Sequence, residues 1–209
     1  MAEELGLDYD LETIDVHRGD QNTPDYLALN PNARVPTIKD GDTVLWESLA
    51  INLYLAKKHG GPLAAKTAEE EAGAVQWSMW ALTEVEDQST ILIQAALGLQ
   101  NHSDEKIAAA CDGLARPLSV LESILANRGH LLGGDFSVAD LNVVAVRGAL
   151  PLAKFDLGPY PKVAAWLQAC MERPASRRIG KMRAAASRGE LDRLEIDPKL
   201  LAQKDEFIA

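Results

Sequence analysis

At residues 60–62 the chain reads Gly-Gly-Pro, and the hydrophobic pattern differs in kind on the two sides of that break. A glycine closes a helix by turning left-handed, and a proline just beyond it cannot continue one. Residues 1–61 therefore read as one unit and residues 66–209 as another. The first unit mixes short apolar runs with turn residues. Its acidic start is the end of a helix near Gly6, and Leu11, Ile14 and Val16 in LETIDV suit a strand. TPDYLALNP reads as a short helix with Thr23 at the N-cap and Pro24 at the first position. Asn30-Pro31 ends it, because a residue before proline is pushed out of the α region. VPTIKDGDTVLWES offers two short strands around Asp40-Gly41-Asp42, and Ser48 stands ready to cap the helix SLAINLYLAKKHG. The order is helix, strand, helix, strand, strand, helix.

The second unit is helical almost throughout. TAEEEAGAVQWSMWALTEVEDQSTILIQAALG has a Thr67 cap and glutamates at 69–71, where the positive end of a helix dipole favours them. DEKIAAACDGLARPLSVLESILANRG follows, with Pro117 expected to bend it. SVADLNVVAVRGALPLAKF is nearly all apolar and so is expected to be buried. YPKVAAWLQACMERPASRRIG reads as one further helix, and the tail from Lys181 as a helical fragment with a loose polar end. The fold class is α/β followed by all-α.

Charge narrows the function. With 21 Lys+Arg against 31 Asp+Glu the net charge is −10, which argues against a nucleic-acid surface or an anionic membrane surface. No apolar run reaches the roughly 18 residues of a membrane span, and MAEELGLDYD is too acidic for a signal peptide. Two cysteines, Cys111 and Cys170, cannot build a disulfide framework, so a reducing cytoplasm is the expected location.

The densest chemical signal is Arg34-Val35-Pro36 followed by Glu47-Ser48. Proline has no N–H, so it sits at a strand start or edge, and a cis bond there would turn the Val35 backbone outward. The N–H and C=O of Val35 could then pair with an extended peptide-like ligand, as an added strand does. Ser48 and Glu47 fall where a strand becomes a helix. Helix N–H groups there can hold a carboxylate, and Glu47 can accept from an ammonium, so the pair suits a zwitterionic amino-acid end. The plainer reading is that Pro36 starts a strand and Ser48 caps a helix. Residue types and spacing leave both open.

In this α/β-then-helical order, NPNARVPTIKDGDTVLWESLAINLYLAKKHG resembles the thioredoxin-like domain of a cytosolic glutathione S-transferase. GGDFSVADLNV resembles the capping-box turn in the helical domain of the same family. Ser137 would be its N-cap, Asp140 the residue reaching back to the Ser137 N–H, and Phe136 with Leu141 a hydrophobic staple. The resemblance covers almost the whole chain. It implies that Val35 pairs with the cysteinyl part of glutathione, ahead of a cis-proline at Pro36, and that Glu47 and Ser48 grip the γ-glutamyl end. Arg34 stands near the tripeptide by a looser match. Gln21 and Asn22 fall near where some classes place a cation for the glycyl carboxylate.

The resemblance further implies glutathione as co-substrate, an apolar electrophilic small molecule as second substrate, a homodimer, and a role in detoxification. The family's first strand, and the turn whose Ser, Tyr or Cys hydrogen-bonds the sulfur, would precede Met1, so the catalytic residue is unknown. A start placed late, a shortened chain and a natural loss of activity would each give this pattern. The alternatives are accordingly a non-catalytic binding or assembly protein of this fold, or a glutathione-dependent isomerase or reductase of it. Other residues carry less. His17, His59, His102 and His130 lack metal-ligand spacing, so no metal is expected. Cys111 and Cys170 read as small buried residues, and Tyr9 lies beyond the helix and is not a catalytic candidate. Trp77, Met79 and Trp80 suit either helix packing or a cleft wall. Gly133 and Gly134 fit no phosphate loop.

Overall fold

The computed structural model describes residues 1–147 and 155–187. It begins with a one-turn helix α1 (Ala2–Leu5), closed by Gly6 in the left-handed region, and continues through a 3-10 turn at Asp20–Asn22 into α2 (Pro24–Leu29). Thr23 caps α2 by accepting from the Tyr26 N–H at 3.4 Å, and Pro24 takes its first position. Strands β1 (Thr37–Asp40) and β2 (Thr43–Trp46) form an antiparallel hairpin with Thr37 opposite Trp46 and Asp40 opposite Thr43. The two residues between are Gly41 and Asp42, and Gly41 supplies a φ of 60° that a side chain would resist. Helix α3 (Ser48–His59) follows and stops at Gly60, φ 69°.

Two expectations for this half are corrected. The strand expected at Leu11–Val16 is not one: among the described residues the sheet has two strands, and nothing pairs with that segment. An apolar run with strand propensity becomes a strand only when a neighbour takes its N–H and C=O groups. Ser48 is not the N-cap of α3. It is the first helical residue, Glu47 is the cap, and no side chain caps the end.

The helical half is built on one long rod. Helix α4 (Ala68–Trp80) passes through a π-helical stretch (Ala81–Glu86) into α5 (Asp87–Ala96), and Thr67 caps it by accepting from the Glu70 N–H at 3.2 Å. Ser78 and Ser89, fully buried on this rod, each donate a hydroxyl to the carbonyl four residues back, at 2.7 and 2.8 Å. Helix α6 (Asp104–Asn127) returns beside it, capped by Ser103, with Pro117 buried in its interior. Its stripe Leu114, Leu118 and Leu121 is wholly shielded and packs with Ala81, Val85, Val143 and Val163 into one core. Then come α7 (Val138–Arg147), α8 (Pro161–Glu172) and α9 (Pro174–Ser187). The sequence expectation of one helix from Tyr160 to Gly180 fails at Arg173, whose ψ of 143° reflects the proline that follows. The end of the long apolar helix expected after Arg147, and most of the tail, lie outside the described residues.

Polar contacts tie the two halves together. Leu63, just past the Gly-Gly-Pro break, is buried, and its carbonyl accepts from the Val138 N–H at the start of α7, at 3.0 Å. Glu4 on α1 takes both ends of the Arg173 guanidinium at 2.8 and 2.7 Å, and Arg178 reaches Glu3 at 3.0 Å. Arg173 also lies over the Phe136 ring, 3.8 Å from its centroid. Asp140 anchors the α7 turn. It is fully buried and accepts from the Ser137 N–H and hydroxyl, the Leu131 N–H and the Trp166 indole, all between 2.9 and 3.0 Å.

Candidate functional site

The hairpin register decides which groups meet. β1 starts at Thr37 and β2 ends at Trp46, opposite it, so Val35–Pro36 and Glu47–Ser48 leave the ladder at the same end. The Val35–Pro36 bond is cis. Val35 is 48% exposed, unusual for a valine beside a sheet, and its backbone lies outside the ladder that begins two residues later. Arg34, Pro36, Glu47 and Ser48 are exposed as well. The residues singled out from the sequence for binding thus form one solvent-facing group.

Glu47 has φ 72° and ψ 109°, a region that non-glycine residues rarely occupy. Holding it there costs on the order of 1–3 kcal/mol, which the surroundings must offset. The conformation carries the chain sharply from β2 into α3 while the Glu47 carbonyl still accepts the first helical bond, from the Ile51 N–H at 2.9 Å. No side chain caps the first-turn N–H groups of α3, and Ser48, its first residue, is exposed. Uncapped donors at the positive end of a 12-residue helix attract an anion.

A second set of residues, not anticipated from the sequence, braces the other side. The Arg34 carbonyl accepts from the Tyr26 hydroxyl and from the Asn30 side-chain amide, each at 2.7 Å. Thr37 Oγ1 lies 3.0 Å from the Tyr26 hydroxyl and accepts from Asn30 at 3.2 Å. Asn30 Oδ1 in turn accepts from the Asn32 N–H and side chain, at 3.0 and 3.2 Å. Asn30 is 1% exposed, so a buried amide holds the turn from Pro31 to Pro36 together with the backbone bond from the Ala33 N–H to the Asn30 carbonyl at 3.0 Å. The one local signal was Asn30-Pro31-Asn32, where an asparagine side chain can mimic a turn.

The remaining sequence candidates lie apart from this group. Among the described residues no cluster of His, Cys, Asp and Glu is arranged to hold a metal ion. Trp77 and Trp80 meet edge to face, centroids 5.1 Å apart, and pack against the helical core, whereas Met79 is exposed. Gln21 sits in the 3-10 turn with its Nε2 3.4 Å from the Val16 carbonyl. The Tyr9 hydroxyl donates to Glu3 at 2.6 Å, and burial followed by that bond pushes its pKa up to about 12. The ends of α5 and α6 enclose an open cavity of about 510 Å³, lined by Leu92, Ala95, Ile107 and Phe155 with Cys111 and Asp112.

The two cysteines differ in a testable way. Cys170 is buried, and burial first, then the nearby Asp140, pushes its thiol up to about 12. Cys111 is half-buried and lines the cavity. Iodoacetamide at pH 8 is expected to label Cys111 and spare Cys170 in the folded protein, with both labelled in urea, since the thiolate is the reacting form. Peptide mass spectrometry checks this; labelling of native Cys170 at the Cys111 rate would contradict it.

Comparison with known proteins finds two family matches. The family description "Glutathione S-transferase, N-terminal domain" matches residues 1–57, and "Glutathione S-transferase, C-terminal domain" matches residues 84–174. A probable glutathione S-transferase of rice, GSTF2, is 34% identical over 195 residues, covering 87% of this chain and 88% of its own. The crystal structure of glutathione S-transferase-I bound with lactoylglutathione superposes with a TM-score of 0.78 at 31% identity, over 87% of this chain and 90% of the other. The glutathione transferase URE2P6 of Phanerochaete chrysosporium, in complex with oxidized glutathione, gives 0.76 at 28% identity, over 88% of each.

Proposed function

The chain belongs to the glutathione S-transferase family, and on that footing we propose that it holds reduced glutathione across Val35 and the start of α3 and joins its sulfur to an apolar electrophile. It is a glutathione transferase-like enzyme with a thioredoxin-like N-terminal domain and a helical C-terminal domain. We set those domains at residues 1–61 and 66–209. In this reading the N–H and C=O of Val35, presented by the cis bond to Pro36, pair with the cysteinyl residue as a short strand would. The Ser48 hydroxyl and the first amides of α3 receive the γ-glutamyl carboxylate, and Glu47 accepts from its ammonium. Arg34 is within the same exposed group and offers a cation to a tripeptide carboxylate.

The observation that carries the proposal is the uncapped N-terminus of α3 beside the cis bond, reached through a backbone conformation that glutamate resists. Strained backbone clusters at binding and active sites, and here it is maintained among exposed residues. Once the tripeptide is held, the thiol loses its proton to solvent and the sulfur forms a bond to the electrophilic carbon. The carbon's leaving group departs with its electron pair, or in an addition the adjacent unsaturated bond takes the pair and is protonated. The second substrate is held against the helical domain, where the cavity between α5 and α6 offers an apolar lining. The chain works as a homodimer in the cytoplasm, in detoxification of electrophiles. Val75 and Met79, one turn apart on α4 and 46% and 52% exposed, suit a subunit interface.

Ser48→Ala tests the assignment. Ser48 makes no cap bond, so its loss is expected to move thermal stability little while weakening glutathione binding roughly ten- to a hundredfold, as for a hydrogen bond to a charged group. Thermal unfolding reads the first effect, and calorimetric titration with glutathione reads the second. An unchanged Kd would refute the role, and failure of the intact protein to conjugate a chloro-nitroarene with glutathione would refute the activity.

A further inference from the structure

We infer that Asn142, inside the helical domain, is a positioning residue for glutathione: it fixes the first turn of α3 and, through it, the Glu47–Ser48 end of the site. This rests on the reading of that end as the γ-glutamyl holder. Asn142 lies on α7 and is wholly shielded from solvent. Its Nδ2 donates to the Ser78 hydroxyl on α4 at 2.8 Å and to the Leu49 carbonyl on α3 at 3.3 Å. Its Oδ1 accepts from the side-chain amide of Asn52, also on α3, at 2.8 Å. One side chain thus joins three helices, and its two contacts on α3 begin at the residue next to Ser48.

The amide orientation follows from the partners. The Leu49 carbonyl can only accept, and the Ser78 hydroxyl already donates to the Ala74 carbonyl at 2.7 Å. Both therefore need the N–H₂ end of Asn142, leaving its oxygen for Asn52. Leu49 and Asn52 are three apart in a helix and so share a face. Apolar packing would press that face against α7 without choosing a rotation. Two directed hydrogen bonds set both the rotation of α3 about its axis and its height along α7. That constraint is needed because α3 has no side-chain cap and its entry residue Glu47 holds φ 72°. A strained conformation persists only where neighbours over-determine it, and Asn142 is the buried group that reaches the adjoining turn.

The test compares Asn142→Ala and Asn52→Ala with Ser48→Ala and with Ser137→Ala. Ser137 immediately precedes α7, bonds Asp140 and makes no contact with α3 among the hydrogen bonds of the described residues. Asn142→Ala is expected to raise the glutathione Kd and KM roughly three- to twentyfold, the range for residues that couple to a site without touching it. The electrophile KM, and kcat at saturating glutathione, should stay near wild type. Ser137→Ala should lose thermal stability and keep its glutathione Kd. Asn52→Ala removes the same bond from the half-buried side and is expected to follow Asn142→Ala in direction, which keeps the question answerable if Asn142→Ala does not fold. A glutathione Kd within twofold of wild type in both asparagine variants, with Ser48→Ala impaired, overturns the inference alone. An unchanged Kd in Ser48→Ala overturns the reading of the site and the inference with it.

Discussion

Asp140→Ala is expected to destabilise the folded protein by roughly 3–5 kcal/mol, the largest single loss among the polar residues described here. The carboxylate is fully buried and accepts four hydrogen bonds: the backbone N–H groups of Leu131 and Ser137, the Ser137 hydroxyl and the Trp166 indole. Alanine leaves those donors, all on buried residues, without their acceptor. Each unpaired buried donor costs about 1–3 kcal/mol, and the sum is held down only by local relaxation. The substitution also unties three segments at once, since Leu131 precedes the turn, Ser137 leads into α7 and Trp166 belongs to α8. Asp140→Asn is the sharper comparison. It keeps the volume but loses the charge and turns two of the four accepting lone pairs into N–H donors. Urea unfolding followed by tryptophan fluorescence measures both variants. A loss under about 1 kcal/mol for Asp140→Ala would mean the four bonds do not act as a buried anchor.

What the sequence made legible was local. Thr23 before Pro24, the Asp40-Gly41-Asp42 turn, Thr67 ahead of three glutamates and the Ser137–Asp140 pairing each lie within four residues, and each is found in the structure. The proximity of Val35–Pro36 to Glu47–Ser48 also followed from a short span, because a two-residue hairpin turn leaves little freedom of register. Ser48 shows the limit of that approach. A serine between a strand and an apolar helix is ordinarily a cap, yet here Glu47 holds the cap position and the helix starts one residue earlier, at Ser48 itself. Asn142 could not be found at all, since its partners stand 64, 90 and 93 residues away. Its sequence context is apolar, and nothing local distinguishes a bridging asparagine from a tolerated one. LETIDV failed for the complementary reason: strand propensity describes fit to a sheet, and pairing is a property of the neighbour.

Asn30→Ala is expected to lose about 2–4 kcal/mol of stability and, in the variant that remains folded, most glutathione affinity. The side chain is 1% exposed and uses both ends of its amide. It donates to the Arg34 carbonyl and Thr37 Oγ1, and it accepts from Asn32. The Arg34 carbonyl belongs to the peptide unit just before Val35, so this bond orients the backbone that Val35 offers to a ligand. Tyr26 gives the same carbonyl a second donor at 2.7 Å, which keeps Tyr26→Phe informative as a milder change. Tyr26→Phe removes one of two donors and should cost roughly 1 kcal/mol, whereas Asn30→Ala also releases the Pro31–Asn32 turn. The two effects separate by experiment. If Asn30 only stabilises the fold, glutathione added at a hundred times its Kd should raise the unfolding free energy of mutant and wild type alike, by about 2.7 kcal/mol. If it also shapes the site, the same glutathione concentration gives the mutant a much smaller increment, because the backbone of Val35 no longer meets the ligand in register. Equal increments in the two proteins would assign Asn30 to stability alone and leave the ligand edge to the cis bond and Tyr26.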